Sequence, residues 1–147
     1  MKLLNTLLCL LATLFMTGCA NNDNEAEHVA RQWGEAYFNY DFKHALDFVT
    51  PESERWLRFA ASNITQADLD ALQENGQATV DLDGYYPGSD TTGTAYLNVS
   101  NWLCPDSIGR AGSRQELEAF QVSMVNRNGR WMVRMEGLPR SERQSRD

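Results

Sequence analysis

The stretch Met124-Val125-Asn126-Arg127-Asn128-Gly129-Arg130-Trp131-Met132-Val133 reads as a β-hairpin. Asn128-Gly129 tolerates the positive φ angles that both central residues of a tight two-residue turn require. On either side of it apolar residues recur at every second position, with Phe120, Val122 and Met124 before and Trp131, Val133 and Met135 after. A period of two puts each set on one face of a strand, so strands are expected over about 116–125 and from Trp131 onward.

The alternation extends upstream. Ala78, Val80 and Leu82 alternate with Thr79, Asp81 and Asp83, and Ala95, Leu97, Val99 and Leu103 alternate with Tyr96, Asn98, Ser100 and Trp102. Pro87-Gly88-Ser89-Asp90 marks the turn between them. Before Asn75-Gly76 the period is helical. Val29, Trp33, Tyr37 and Tyr40, with Ala30 and Ala36 alongside, form a stripe on a first helix over about 25–40. Asp41 can cap a second helix that buries Phe42, Ala45, Leu46 and Val49. Thr50-Pro51-Glu52 opens a third that carries Trp56, Leu57, Phe59 and Ala60 into the core, and Thr65 with Asp68 three residues on opens a fourth. Helices followed by antiparallel strands give an α+β domain, its N-terminal helices packed on a curved antiparallel sheet of about four strands.

A long aromatic-bearing first helix, a second beginning Tyr40-Asp41-Phe42, the Thr50-Pro51 helix and a meander closing on Asn128-Gly129-Arg130-Trp131-Met132-Val133 together resemble the nuclear transport factor 2-like (cystatin-like α+β cone) domains over about residues 26–138. The resemblance implies a cone between the first helix and the concave sheet face. Such cones serve as pockets, catalytic in isomerase-like and dehydratase-like enzymes, or as packed interiors in scaffolds. Trp33, Tyr37, Trp56, Phe59, Leu97, Val99, Phe120 and Met124 are the side chains expected to face into it. A buried aromatic side chain covers roughly 150–250 Å² and a drug-sized ligand needs about 300 Å³, so these groups are expected to fill the cone.

A catalytic cone requires an acid or a histidine inside it, where desolvation tunes the pKa. His28 and His44 are the two histidines of the chain, and both fall on polar helix positions. Asp81, Asp83 and Asp90 gather near one hairpin without the spacing of a calcium loop. No catalytic residue, metal or cofactor is therefore expected. The reading that follows is a non-catalytic binding or assembly module, with a small-molecule enzyme using the cone and a homodimeric structural unit as alternatives.

The other informative stretch is the N-terminus. Lys2 precedes a largely apolar run, Leu3 to Met16, which as a helix would reach about 21 Å against a hydrocarbon core of about 30 Å. That is the pattern of a secretory leader. Met16-Thr17-Gly18-Cys19 resembles the bacterial lipobox, in which the cysteine thiol takes diacylglycerol before cleavage. One acyl chain anchors only marginally, at about 0.8 kcal/mol per buried methylene, whereas two or three hold a domain firmly. Ala20, rather than Asp, resembles lipoproteins sorted to an outer membrane. With Thr50-Pro51-Glu52-Ser53-Glu54-Arg55-Trp56 and Met135-Glu136-Gly137-Leu138-Pro139-Arg140-Ser141, the chain resembles small lipoproteins of Bacteroidota, which implies an address and no activity. The expected organisation is a leader over 1–18, an acylated Cys19 with a polar tether to residue 27, the domain over 28–138 and a polar tail over 139–147. The expected partners are the membrane, through the lipid, and an envelope protein or a small hydrophobic ligand. Cys9 leaves with the leader, so no disulfide framework is expected around Cys104. From Cys19 onward 12 basic residues face 20 acidic ones, a net charge of −8 that argues against a nucleic-acid partner.

Overall fold

The computed structural model describes residues 18–106, 110 and 112–143, so residues 1–17 of the expected 1–18 leader and the end of the expected tail (144–147) lie outside it. Helix α1 (Gly18–Phe38) is followed by a single helical turn, α2 (Phe42–Ala45), which tightens into a 3₁₀ turn at Leu46–Phe48. A second 3₁₀ turn, Pro51–Ser53, leads into α3 (Glu54–Ser62), and α4 (Gln66–Asn75) ends the helical half. Strands β1 (Thr79–Ser89), β2 (Thr92–Cys104), β3 (Ser113–Arg127) and β4 (Arg130–Arg134) form one antiparallel meander in the order β1-β2-β3-β4. The fold is α+β, with helices against a curved sheet. Register shifts at Leu82/Gly84 and Pro87/Ser89 bend β1, as bulges do. No described helix is long and apolar enough to cross a membrane.

Helix α1 lies on the sheet through Ala26, Ala30 and Trp33, all essentially inaccessible. Gly34 sets how close it comes. A Cβ there would meet Leu97 Cδ1 at 2.9 Å and Val80 Cγ1 at 3.0 Å, so the missing methyl group lets helix and sheet touch. Phe38, which the helical stripe did not include, is also fully buried. Its ring packs 4.6 Å from Phe120 and edge-on to Trp102 at 5.4 Å, joining the end of α1 to β2 and β3.

Several local expectations hold for their stated reasons. Asn128 and Gly129 take φ of 56° and 81° in the β3–β4 turn. Thr65 and Asp68 form the reciprocal capping box that opens α4, and Gly76 ends it at φ 82°. Asp41 accepts from His44 N at 3.1 Å. Thr50 behaves differently from a simple cap. Its hydroxyl lies 2.7 Å from Ser53 Oγ, which accepts from Met135 N at 2.8 Å, so two buried hydroxyls tie the helical layer to the end of β4.

Other expectations are corrected. Helix α1 begins before Glu25 because Asn22 Oδ1 accepts from Trp131 Nε1 at 2.6 Å and Ala26 is buried, so the stretch expected as a tether is docked helix. It ends before Tyr40, which adopts φ 62° while Asp41 N donates to Ala36 O. Leu46 and Phe59, expected inside, are 37% and 52% exposed, since the 3₁₀ turn rotates the first outward and α3 buries only its Leu57 and Ala60 edge. The β1–β2 turn is Asp90-Thr91, and Pro87 sits within β1, an edge strand where a missing N–H is tolerated. Ser141, expected in a polar tail, is buried and bridges Phe120, and Glu142 N donates to Ala119 O at 2.9 Å. The segment after β4 thus covers the part of β3 that β4 is too short to reach.

Candidate functional site

The cone is filled at depth and open at one end. Trp33, Phe38, Phe120 and Trp131 occupy its interior with 2% exposure or less. At the end where α1 stops, a cavity of about 420 Å³ remains. That exceeds the roughly 300 Å³ lower bound for small-molecule sites, which corrects the expectation that aromatic side chains leave no room. One wall comes from the end of α1 and the start of α2, Tyr37, Tyr40 and Phe42; a second comes from α3 and its exit, Ala60, Asn63 and Ile64. Trp102 and Cys104-Pro105-Asp106 close the β2 side, and Leu138-Pro139-Arg140 the remaining one.

Backbone geometry explains how these groups meet. The left-handed turn at Tyr40 sends its ring back over the sheet, where the phenol donates to Leu103 O and the ring stacks on Phe42 at 6.1 Å. Asn101, at φ 56°, interrupts the alternation of β2. The interruption turns Trp102, placed outward by its sequence phase, into the cavity wall with 6% exposure. Arg114 fixes this corner by donating to Asn101 O at 2.9 Å, Asn101 Oδ1 at 2.8 Å and Ala71 O at 3.0 Å.

The polar groups lining the cavity are the Tyr37 and Tyr40 phenols, the Asn63 amide, the Cys104 thiol, the Asp106 carboxylate and the Arg140 guanidinium. Burial, with Cys104 alongside, pushes the Tyr37 phenol well above its ordinary range. Burial also raises Tyr40, reinforced by Asp68 and Cys104 and opposed by Arg114. Both remain neutral hydrogen-bonding groups across the physiological range. Burial works to raise the nearby Asp68 carboxyl, but hydrogen bonds from the Thr65 side chain and backbone and from Gly112 N outweigh it and hold it below its ordinary value. Asp68 is thereby committed to capping α4 and fastening the start of β3. The Cys104 thiol is half-buried on the cavity wall, its Sγ 3.7 Å from Pro105 O.

Of the eight side chains expected to face the cone, Tyr37 alone lines this cavity. Leu97, Val99, Phe120 and Met124 are sealed in the core, at 1% exposure or less. Trp33 is as deeply buried, at 1% exposure. Trp56 is half-buried beneath the Arg55 guanidinium, 5.0 Å from its ring centre, and Phe59 faces outward. Both histidines are exposed, His28 on the outer side of α1 and His44 against Phe48 at 5.2 Å. Among the described residues no group of three or more His, Cys, Asp or Glu side chains is placed to hold a metal ion. Sequence reading did not place Tyr40, Phe42 or Leu138 at the site; Trp102 counts among the aromatics suited to wall a pocket, and the adjacent Asn101, a residue type that tolerates the left-handed region and can break a strand's phase, is the signal that turns it inward.

No family model and no curated protein matches this sequence. Among solved structures, a SEC-C motif containing protein from Rhodopseudomonas palustris aligns at 15% identity and a TM-score of 0.43, over 75% of this chain and 76% of that one. An Ntf2-like protein involved in plasmid conjugation aligns at 15% identity and a TM-score of 0.36, over 79% of this chain and 48% of that one. Likeness of this degree carries no argument about activity. The α+β cone rests on the chain's own architecture: among the described residues, one long helix and three short ones against a four-stranded antiparallel meander, with a cavity where the long helix ends.

Proposed function

We propose that this chain is a lipid-anchored protein of the bacterial cell envelope whose domain binds a small hydrophobic ligand in the cone-end cavity without transforming it. The observation that carries the binding reading is the cavity itself, about 420 Å³ walled by Tyr37, Tyr40, Phe42, Ile64 and Trp102. Concave, aromatic and large enough for a ligand, it has the character of a recognition site. The two phenols, neutral and hydrogen-bonding, suit orientation of a ligand better than proton transfer at neutral pH.

Anchoring rests on the Gly18-Cys19 junction and the apolar run before it. The structure adds a consequence to that reading. Because α1 is continuous from Gly18 and Asn22 is fastened to Trp131, an acyl group on Cys19 would hold the domain with almost no slack. The cavity would stand about 27 Å along α1 from the anchor, at the rise of about 1.5 Å per residue between Cys19 and Tyr37. A ligand would then enter from the aqueous side.

Both halves are testable. Radiolabelled palmitate fed to producing cells should enter the wild-type chain and not Cys19→Ala; equal labelling defeats the anchor. Ile64→Trp places an indole in the cavity mouth and should abolish the fluorescence that an apolar dye gains on binding, with the unfolding midpoint unchanged. Undiminished dye binding defeats the cavity reading.

A further inference from the structure

A second cavity, of about 270 Å³, shares Leu138, Pro139 and Arg140 with the first. Its character is opposite. Gln121 and Ser123 of β3 face it, together with Arg134 at the end of β4, Glu136 and Arg140. Arg134 is paired with Glu136 at 2.8 Å, which leaves the surplus positive charge of the site on the Arg140 side. Trp33 also borders it, 1% exposed, and its buried Nε1–H has no acceptor among the described residues. An unmet buried donor at the wall of a site is costly until an acceptor reaches it.

The two cavities also share a floor. Trp33, at the second, stacks on Tyr37, at the first, with ring centres 5.0 Å apart. Above that floor runs Leu138-Arg140, held down by the Ser141–Phe120 bridge and the Glu142 N to Ala119 O bond. We infer that the two cavities are the halves of one site passing beneath this segment, and that its ligand is a single-chain amphiphile with an anionic head. The apolar body lies among Tyr37, Phe42, Ile64 and Trp102, and the head lies in the polar half, against Arg140 and Arg134. Arginine suits the role because its planar fork engages carboxylate or phosphate oxygens in pairs. This inference rests on the binding reading above and specifies its ligand.

The test is photo-crosslinking of the full chain in phosphatidylcholine vesicles, using dodecanoate with a diazirine near its methyl end and peptide mapping of the label. Label is expected on the segments around Tyr37, Ile64 and Leu138. Unlabelled dodecanoate or lysophosphatidate should displace it, the more effective of the two showing whether the head is a carboxylate or a phosphate. Dodecan-1-ol, with the same body and no charge, should need about tenfold more, the worth of one charge-assisted hydrogen bond. Arg140→Gln should reduce labelling about tenfold, and Arg140→Lys should restore most of it. Arg140 is exposed, so loss of fold does not confound the result. Equal competition by dodecan-1-ol, or full labelling of Arg140→Gln, overturns the anionic-head inference and leaves a purely apolar binding site. Absence of label from the domain overturns the binding reading as well.

Discussion

Trp33→Ala should lower the unfolding free energy by about 3–5 kcal/mol, read as a shift in the urea midpoint. The indole is 1% exposed, stacks on Tyr37 at 5.0 Å and meets Phe38 edge-on at 6.1 Å. Truncation removes those contacts and leaves a void that the neighbours cannot fill, because α1 is held against Leu97 and Val80 at Gly34. One effect opposes this: Trp33 Nε1–H lacks an acceptor among the described residues, and deleting an unmet donor returns about 1–3 kcal/mol. The packing loss is larger, so the lower part of the range is expected. Trp33→Phe separates the two contributions, since it keeps most of the ring and removes the N–H; it should cost less than half as much. A Trp33→Ala chain that unfolds at the wild-type midpoint would mean that the indole lines open space and supports nothing.

Gly93→Ala should be the most damaging methyl addition in the sheet, costing about 1–3 kcal/mol or more. A Cβ at this β2 position would lie 2.1 Å from Tyr85 Oη and 2.4 Å from its Cζ. The obstacle is a rigid ring, and it has nowhere to move: Tyr85 packs edge-on to Trp131 at 6.1 Å and its hydroxyl is buried. Burial raises the Tyr85 phenol, with Asp23 and Glu27 of α1 adding to the effect, so the ring is wedged between the sheet and the first half of that helix. Displacing it should loosen the N-terminal half of α1 first, visible as faster amide exchange from residues 22–30. The double variant Gly93→Ala/Tyr85→Ala provides the control. With the ring gone the added methyl fits, so the double variant should match Tyr85→Ala alone to within about 0.5 kcal/mol. Additive losses would show that the glycine matters for backbone reasons and not as a seat for the ring.

Much of the fold was legible because it depends on neighbours in sequence. The Asn128-Gly129 turn, the Thr65–Asp68 capping box and the alternation of Ala95, Leu97 and Val99 follow from local rules, and the structure shows each. Several of the expectations that failed depended on distant partners. Residues 22–24 read as a polar linker because Asn22-Asp23-Asn24 has no apolar period, yet Trp131, more than a hundred residues away, supplies the hydrogen bond that docks Asn22. Phe38 lies off the helical stripe and is buried because Trp102 and Phe120 meet it from the sheet. Phe59 reads as core by its chemistry and is exposed because no described residue packs over that side of α3.

The candidate site divides in the same way. The sequence by itself determined that a helical layer would lie on an antiparallel meander and that aromatic side chains would gather between them, since periodicity and turn chemistry are encoded residue by residue. Only the tertiary structure decided which aromatics would fill the interior and which would wall a cavity. Two left-handed residues, Tyr40 and Asn101, bring the Tyr40 and Trp102 side chains to the open end of the cone. The return of the chain after β4, fixed where Ser141 bridges Phe120, carries Leu138 and Arg140 there as well. Where elements far apart in sequence converge is set by their mutual packing, and no local pattern records it.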